Sequence, residues 1–256
     1  MPIPVVSTEH VGPAAIREKA TSTIPQLRGF VNKYFYFLMP LLFAALVVWG
    51  FSRTVNQNLF HASPPRPYLL WIHGAAFATW IAFFITQSTL VRARKVIWHR
   101  SFGWFGAGLA TVMVPLGVTI AIIMARFDTV RLRESGADAF LSIPFYDMIA
   151  FGVFIALAIY WRRRPEFHRR LMFIATVGLM DAPVGRFDFL FNHSLFYLCL
   201  DLLIVLGVLR DLFVDGRVHK VYLYALPLVI VGQNLAIYMW RINPLWWRTI
   251  THAILA

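Results

Sequence analysis

Three histidines stand next to a basic residue at the foot of an apolar run: His99-Arg100 in WHRSFGW, His168-Arg169-Arg170 in FHRRLMF and His219-Lys220 in VHKVYLY. An imidazole can hold an iron or another metal through one ring nitrogen. A cation at the start of a helix opposes the macrodipole and needs an anion close by, and the free N–H groups of the first turn point to the same place. Arg100, Arg169, Arg170 and Lys220 are therefore candidate anion- or lipid-binding residues. Phospholipid headgroups with snorkelling side chains satisfy this pattern. So does a specific anion: a lipid phosphate, or the propionates of a heme whose iron sits on the histidines. The repeated signature reads either as internal duplication or as three separate answers to one topological demand.

A second set lies inside apolar runs: His73, Asp147, Asp181, Arg186, Asp188, Asp201, Gln233 and Asn234. Ionisable groups at membrane depth cost several kcal/mol unless paired or hydrated, so they face one another rather than lipid. Asp181 and Asp188 are two helical turns apart and share a face unless Pro183 bends the helix. The set predicts a polar pocket or water-filled cleft formed by Asp147, Asp181, Arg186, Asp188, Asp201 and Asn234. One reading makes it a structural knot with Arg186 paired to one or two aspartates and His73 hydrogen-bonded nearby. The other makes it a functional pocket whose carboxylates handle protons. His73, in LLWIHGAAFATW, has small neighbours that would admit a planar cofactor.

The elements that must position these residues are transmembrane helices. The 256 residues are 59% hydrophobic and 14% charged, against about 25% charged in a soluble domain. Mean hydropathy is +0.64. Apolar runs at 34–52, 68–91, 103–126, 145–161, 171–190, 195–214 and 221–241 are each near the ~20 residues that span a bilayer. The alternation of a membrane barrel is absent, so the expectation is all-α: a bundle of seven transmembrane helices over 34–241, a cytoplasmic tail over 1–33 and a short C-terminal tail over 242–256. No apolar h-region follows Met1, so the first span reads as an uncleaved signal anchor. Basic residues crowd the tail and alternate loops, which predicts the N-terminus inside and the C-terminus outside. The net charge of +12 is thereby explained by topology and anionic lipid, without nucleic acid. Small-residue pairs Gly103/Ala107 and Gly106/Ala110, with Gly74 and Ala75, predict that the second and third spans lie in the bundle interior. The single cysteine, Cys199, allows no disulfide within the chain and no cysteine-rich metal site.

Two blocks, residues 69–114 and RRRPEFHRRLMFIATVGLM, resemble a group of bacterial multi-pass inner-membrane proteins of no settled function. His99-Arg100 with Gly103, and His168-Arg169-Arg170-Leu171-Met172, are also distantly similar to membrane proteins that assist assembly of terminal oxidases and to diheme cytochrome b561-type electron carriers. That resemblance implies the bacterial inner membrane, heme b as cofactor, and His73, His99 and His168 as its ligands. His99 and His168 share an inner depth; His73 has no histidine at its own depth on another span, a departure from the b561 pattern. Three functions follow: a heme-binding electron-transfer or oxidase-associated subunit; a non-enzymatic subunit that binds lipid or another membrane protein; and a seven-helix metal hydrolase. The last requires a HxxxH on the final span, where this chain has VYLYALPLVIVGQNLAIYMW. No Walker loop, nucleophile elbow or zincin motif is present.

Overall fold

The computed structural model describes the backbone of residues 13–256 and the side chains from residue 24 onward. Residues 1–12 of the expected tail, with His10, lie outside the described residues. The rest of that segment is helical: α1 runs unbroken from Pro13 to Ser52, through Pro25 and Pro40. It is followed by α2 (Leu69–Arg92), α3 (Val96–Val130), α4 (Ala137–Phe140), α5 (Ser142–Tyr160), α6 (Pro165–Gly178), α7 (Asp181–Val184), α8 (Asp188–Asn192), α9 (Phe196–Asp215), α10 (Lys220–Ile242) and α11 (Leu245–Leu255). No strand occurs among the described residues.

Five of these segments are long and apolar enough to cross a membrane: Ile24–Ser52, Leu69–Arg92, Val96–Val130, Ala137–Tyr160 and Lys220–Ile242. Two others fall outside that set: α6 has only 14 residues, and α9, 20 residues long, carries at least three charges within any 18-residue stretch. The reason lies in the packing. Helices α1, α2, α3, α5, α10 and α9 touch in that order and α9 returns to α1, closing a ring. Helix α6 packs on α1, α5, α9 and α10 inside it, and Trp80 of α2 points its indole Nε1 at Thr176 Oγ1, 3.4 Å away. Five consecutive residues of α6, Phe173 to Val177, are all buried. At 3.6 residues per turn they cover every direction around the axis, so α6 has protein on all sides. A helix solvated by protein needs neither the length nor the uniform apolarity that lipid demands. Helix α9, on the ring, carries Asp201, Arg210, Asp211 and Asp215.

This overturns the expectation that the second and third spans occupy the interior. Their small residues admit neighbours, as where Phe83 fills the space over Gly106, but Gly103 and Gly74 face open space. The continuous helix expected over 171–190 is also broken. Leu179 and Met180 donate back to Thr176 O at 3.2 Å and Val177 O at 2.8 Å, tightening the last turn of α6 to i→i−3 spacing. Pro183, which has no N–H to donate, then sits in the single turn α7, and Asp188 opens α8. Helix α1 closes over this break so tightly that a Cβ on Gly50 would land on the Pro183 carbonyl. At the other end, α6 starts cleanly: Arg164 is extended ahead of Pro165, which occupies the first helical turn. The expected short C-terminal tail contains α11, which packs on α3 and α4; Trp247 Nε1 donates to Ala139 O at 3.1 Å and Arg126 Nη2 to Ile254 O at 2.9 Å.

Candidate functional site

The chain alternates direction through the ring, so its polar residues collect at two ends. The end away from the basic loops holds Asp147, Asp181 and Asp201. Asp147, on the first turns of α5, is 4% exposed, and its Oδ1 accepts a hydrogen bond from Tyr197 of α9 at 2.9 Å. Its Oδ2 has no hydrogen-bond donor among the described residues. Asp181, delivered by the break between α6 and α7, is the neighbouring carboxyl of Asp147. Two carboxyl groups can share a hydrogen bond only when one of them holds the proton. Beside them is an internal cavity of about 20 Å³, room for about one water molecule, lined among others by Tyr146, Asp147, Tyr197 and Gln233. Asp201, one turn beyond Tyr197 on α9, lies beside the Gln233 amide, and its Oδ1 lacks a donor. Tyr146 donates to Val229 O at 2.9 Å, tying α5 to α10 across the cavity.

The structure brings Asp147 and Asp181 of the expected set together and separates others from them. The expected open cleft is this small cavity. Of the expected residues Asp147 lines it; Asp181 adjoins Asp147 and Asp201 adjoins Gln233, while the break at Pro183 turns Asp188 onto the exposed start of α8. Asn234 points away from the bundle and donates to Ile230 O of its own helix at 2.7 Å, while its neighbour Gln233 is the buried one. Arg186 forms no ion pair with the aspartates within 4.0 Å; its Nη1 donates to Ala182 O at 2.5 Å and its guanidinium lies 3.9 Å from the Phe51 ring centroid. His73 packs on Phe77, ring centroids 4.2 Å apart, and its Nδ1 has no partner. Tyr197, which completes the carboxyl site, carried no sequence signal beyond its i,i+4 spacing from Asp201.

At the basic end the anion demanded by the helix-start cations is supplied by the protein. Arg170, 1% exposed, grips Asp211 with two bonds, Nε to Oδ2 at 2.8 Å and Nη2 to Oδ1 at 2.7 Å. Its Nη1 bonds Glu166 Oε2 at 2.6 Å. Arg210 bonds the same Asp211 Oδ1 at 2.9 Å, Asp215 Oδ2 at 2.7 Å and the Asn32 side chain. Arg169 pairs with Glu166 at 2.5 Å. Burial alone would raise the Glu166 pKa, but the Arg170 hydrogen bond and the charges of Arg169, Arg170 and Arg210 outweigh it and hold the carboxyl below its usual range. Arg170 is thus a structural cation, not a lipid ligand, and Arg169 is shared with Glu166. Arg100 and Lys220 remain on the exposed surface.

The three histidines of the repeat part company here. His219 is the N-cap of α10, its Nδ1 accepting the Val221 N–H at 3.2 Å. Burial, followed by the Arg170 charge, pushes its pKa down, which suits a neutral acceptor. His99 and His168 meet, ring centroids 6.3 Å apart and planes at 77°. They come from α3 and α6, each of which packs on α5. His168 Nδ1 is 2.9 Å from Ala158 O, the type of anchor that leaves Nε2 free as a ligand, and His99 Nδ1 has no partner. Two imidazoles on opposite sides of one metal ion, with metal–nitrogen bonds of about 2 Å, hold their ring centres roughly 6 Å apart, close to this separation. His73, at the opposite end, is not part of this pair. Among the described residues no three His, Cys, Asp or Glu side chains converge as a metal site. No family model, no curated protein and no solved structure matches the chain.

Proposed function

We propose that this chain is a seven-span membrane protein, N-terminus inside and C-terminus outside, whose functional centre is a proton-holding carboxyl site in the outer half of the bundle. The six ring helices with α6 at their centre support seven crossings. The observation that carries the functional reading is the buried Asp147 carboxyl beside Asp181, its Oδ1 held by Tyr197 and its Oδ2 without a donor among the described residues. One proton sits between the two carboxyls, Tyr197 fixes the acceptor oxygen, and one water in the adjacent cavity relays toward Gln233 and Asp201. Asp181 lies where the helix is interrupted and is the member through which protons exchange with the outer surface. Toward the basic end the cavity is bounded by Phe154, Ile174 and Ile204, so the site takes up and releases protons on one side and does not conduct across.

Infrared difference spectroscopy in H₂O and D₂O tests this. The protein is expected to show a protonated-carboxyl C=O band that shifts on deuteration and disappears in both Asp147→Asn and Asp181→Asn. A spectrum without that band at neutral pH, or a band unchanged in both variants, would sink the proposal.

The spacing of His99 and His168 supports a second reading, in which the pair holds a heme b and the protein is an electron-transfer or oxidase-associated subunit. The heme would supply one-electron chemistry; His99 and His168 would hold its iron, and Arg100 would lie near enough to the membrane surface to meet a propionate. Purified protein would then show a Soret band lost in His99→Ala and in His168→Ala. Colourless protein from heme-replete cells would reject it.

A further inference from the structure

Several cations at the basic end have partners within the protein. Arg169, Arg170 and Arg210 are held by Glu166, Asp211 and Asp215, and Arg28 Nε donates to Val214 O at 2.7 Å. Lys33, Arg92 and Arg94 differ: among the described residues none of them has a carboxylate within 4.0 Å. These three line one groove of about 390 Å³, together with Phe37, Thr89 and Ala93, where α1 passes the turn between α2 and α3. The Arg92 guanidinium lies 3.8 Å from the Tyr34 ring centroid and 5.1 Å from that of Phe37, and its Nη1 is buried with no acceptor. The turn brings Arg94 to the rim through a left-handed backbone, φ 58°. From Phe37 the same face of α1 continues to Leu41, which is 40% exposed and lies within the segment apolar enough to cross a membrane.

We propose that this groove binds the phosphate headgroup of an anionic glycerophospholipid, with an acyl chain laid along Phe37 and Leu41. Guanidinium groups match phosphate oxygens bidentately, and an aromatic floor keeps Arg92 extended without a counter-charge of its own. Three cations in one groove favour a headgroup with more than one negative charge. The apolar continuation along α1 favours a lipid over free phosphate, which would have no use for it. The assignment is independent of the proton site at the other end of the bundle.

Native mass spectrometry of the full chain released from detergent tests it, with phosphatidic acid, phosphatidylcholine and inorganic phosphate as probes. Phosphatidic acid is expected to give adducts that survive release, with phosphatidylcholine much weaker. Each juxtamembrane cation removed should weaken binding about fivefold, so Lys33→Gln with Arg94→Asn should weaken it about thirtyfold. Both side chains are exposed, and asparagine tolerates the left-handed turn. Arg163→Gln with Arg164→Gln removes the same charge from exposed positions outside the groove and should leave binding unchanged. If the Lys33/Arg94 variant has a shifted melting midpoint, Lys33→Gln alone should still show the fivefold loss. Equal binding of phosphatidylcholine, displacement by inorganic phosphate at the lipid's own concentration, or an equal loss in the Arg163/Arg164 variant would each overturn the proposal.

Discussion

Replacing Asp211 should destabilise the protein more than any other single substitution at the basic end. The carboxylate is fully buried and accepts two hydrogen bonds from Arg170, at 2.8 and 2.7 Å, one from Arg210 at 2.9 Å, and a longer one from the His219 N–H at 3.3 Å. Asp211→Ala strands two guanidinium groups that are each 1% exposed at the side chain. Breaking a buried pair from one side costs about 3–5 kcal/mol. Glu166 still holds Arg170 and Asp215 still holds Arg210, so the loss belongs at the low end, about 3 kcal/mol. At about 2–4 °C per kcal/mol for a chain of this size, the melting midpoint should fall by about 6–12 °C. The nine tryptophans make intrinsic fluorescence in detergent a suitable assay. The double variant Arg170→Leu/Asp211→Leu removes the charge together with its main partner and should recover much of the loss. A drop below about 2 °C for Asp211→Ala, or a double variant worse than the sum of the singles, would refute the claim that this carboxylate organises the basic end.

Gly50→Ala should cost about 1–3 kcal/mol, because the new methyl meets the Pro183 carbonyl, whereas Gly74→Ala, with nothing within 4 Å, should cost nothing; melting midpoints of the two compare them directly. Gln233→Leu should cost about 1–3 kcal/mol by leaving Asp201 without its neighbour, while Asn234→Leu should be neutral by the same measurement. Glu166 has a folded pKa below its ordinary value of 4.5, so its contribution is complete above pH 4.5 and is lost as pH falls through the lower folded value. The melting midpoint of the native chain should therefore decline below that pH more steeply than that of Glu166→Gln. Equal slopes would remove Glu166 from the network.

The helices themselves were legible because lipid imposes one requirement, a long apolar run, and five segments meet it openly. What encloses what was not legible. Helix α6 is too short for a span and α9 too charged, and only the packing explains why they can be: α6 is enclosed by α1, α5, α9 and α10. Asp147 and Asp181 could be nominated only as members of one polar set, because burial forces acids to find partners, and Tyr197 not at all, since a tyrosine on an apolar helix looks the same whether or not its hydroxyl has an acceptor. Asp211 escaped notice for the opposite reason. Amid Arg210, Asp215 and Arg217 it reads as part of a solvated loop, and the partner that buries it, Arg170, is 41 positions away. The repeat of three histidines looked uniform in sequence, yet one caps a helix and two face each other.

The enclosure of α6 also bears on how the chain enters the membrane. A helix of 14 residues that carries Arg169 and Arg170 in its first turns does not partition into lipid by itself. Asp211, which neutralises Arg170, arrives only with α9, and the far wall of the ring arrives with α10. If α6 is a crossing, it is expected to wait beside the earlier helices, sheltered from hydrocarbon, until the last third of the chain has been synthesised. With seven crossings as proposed, insertion is expected to be concerted over α6, α9 and α10, and a chain halted after α8 to hold its most buried helix outside the bilayer.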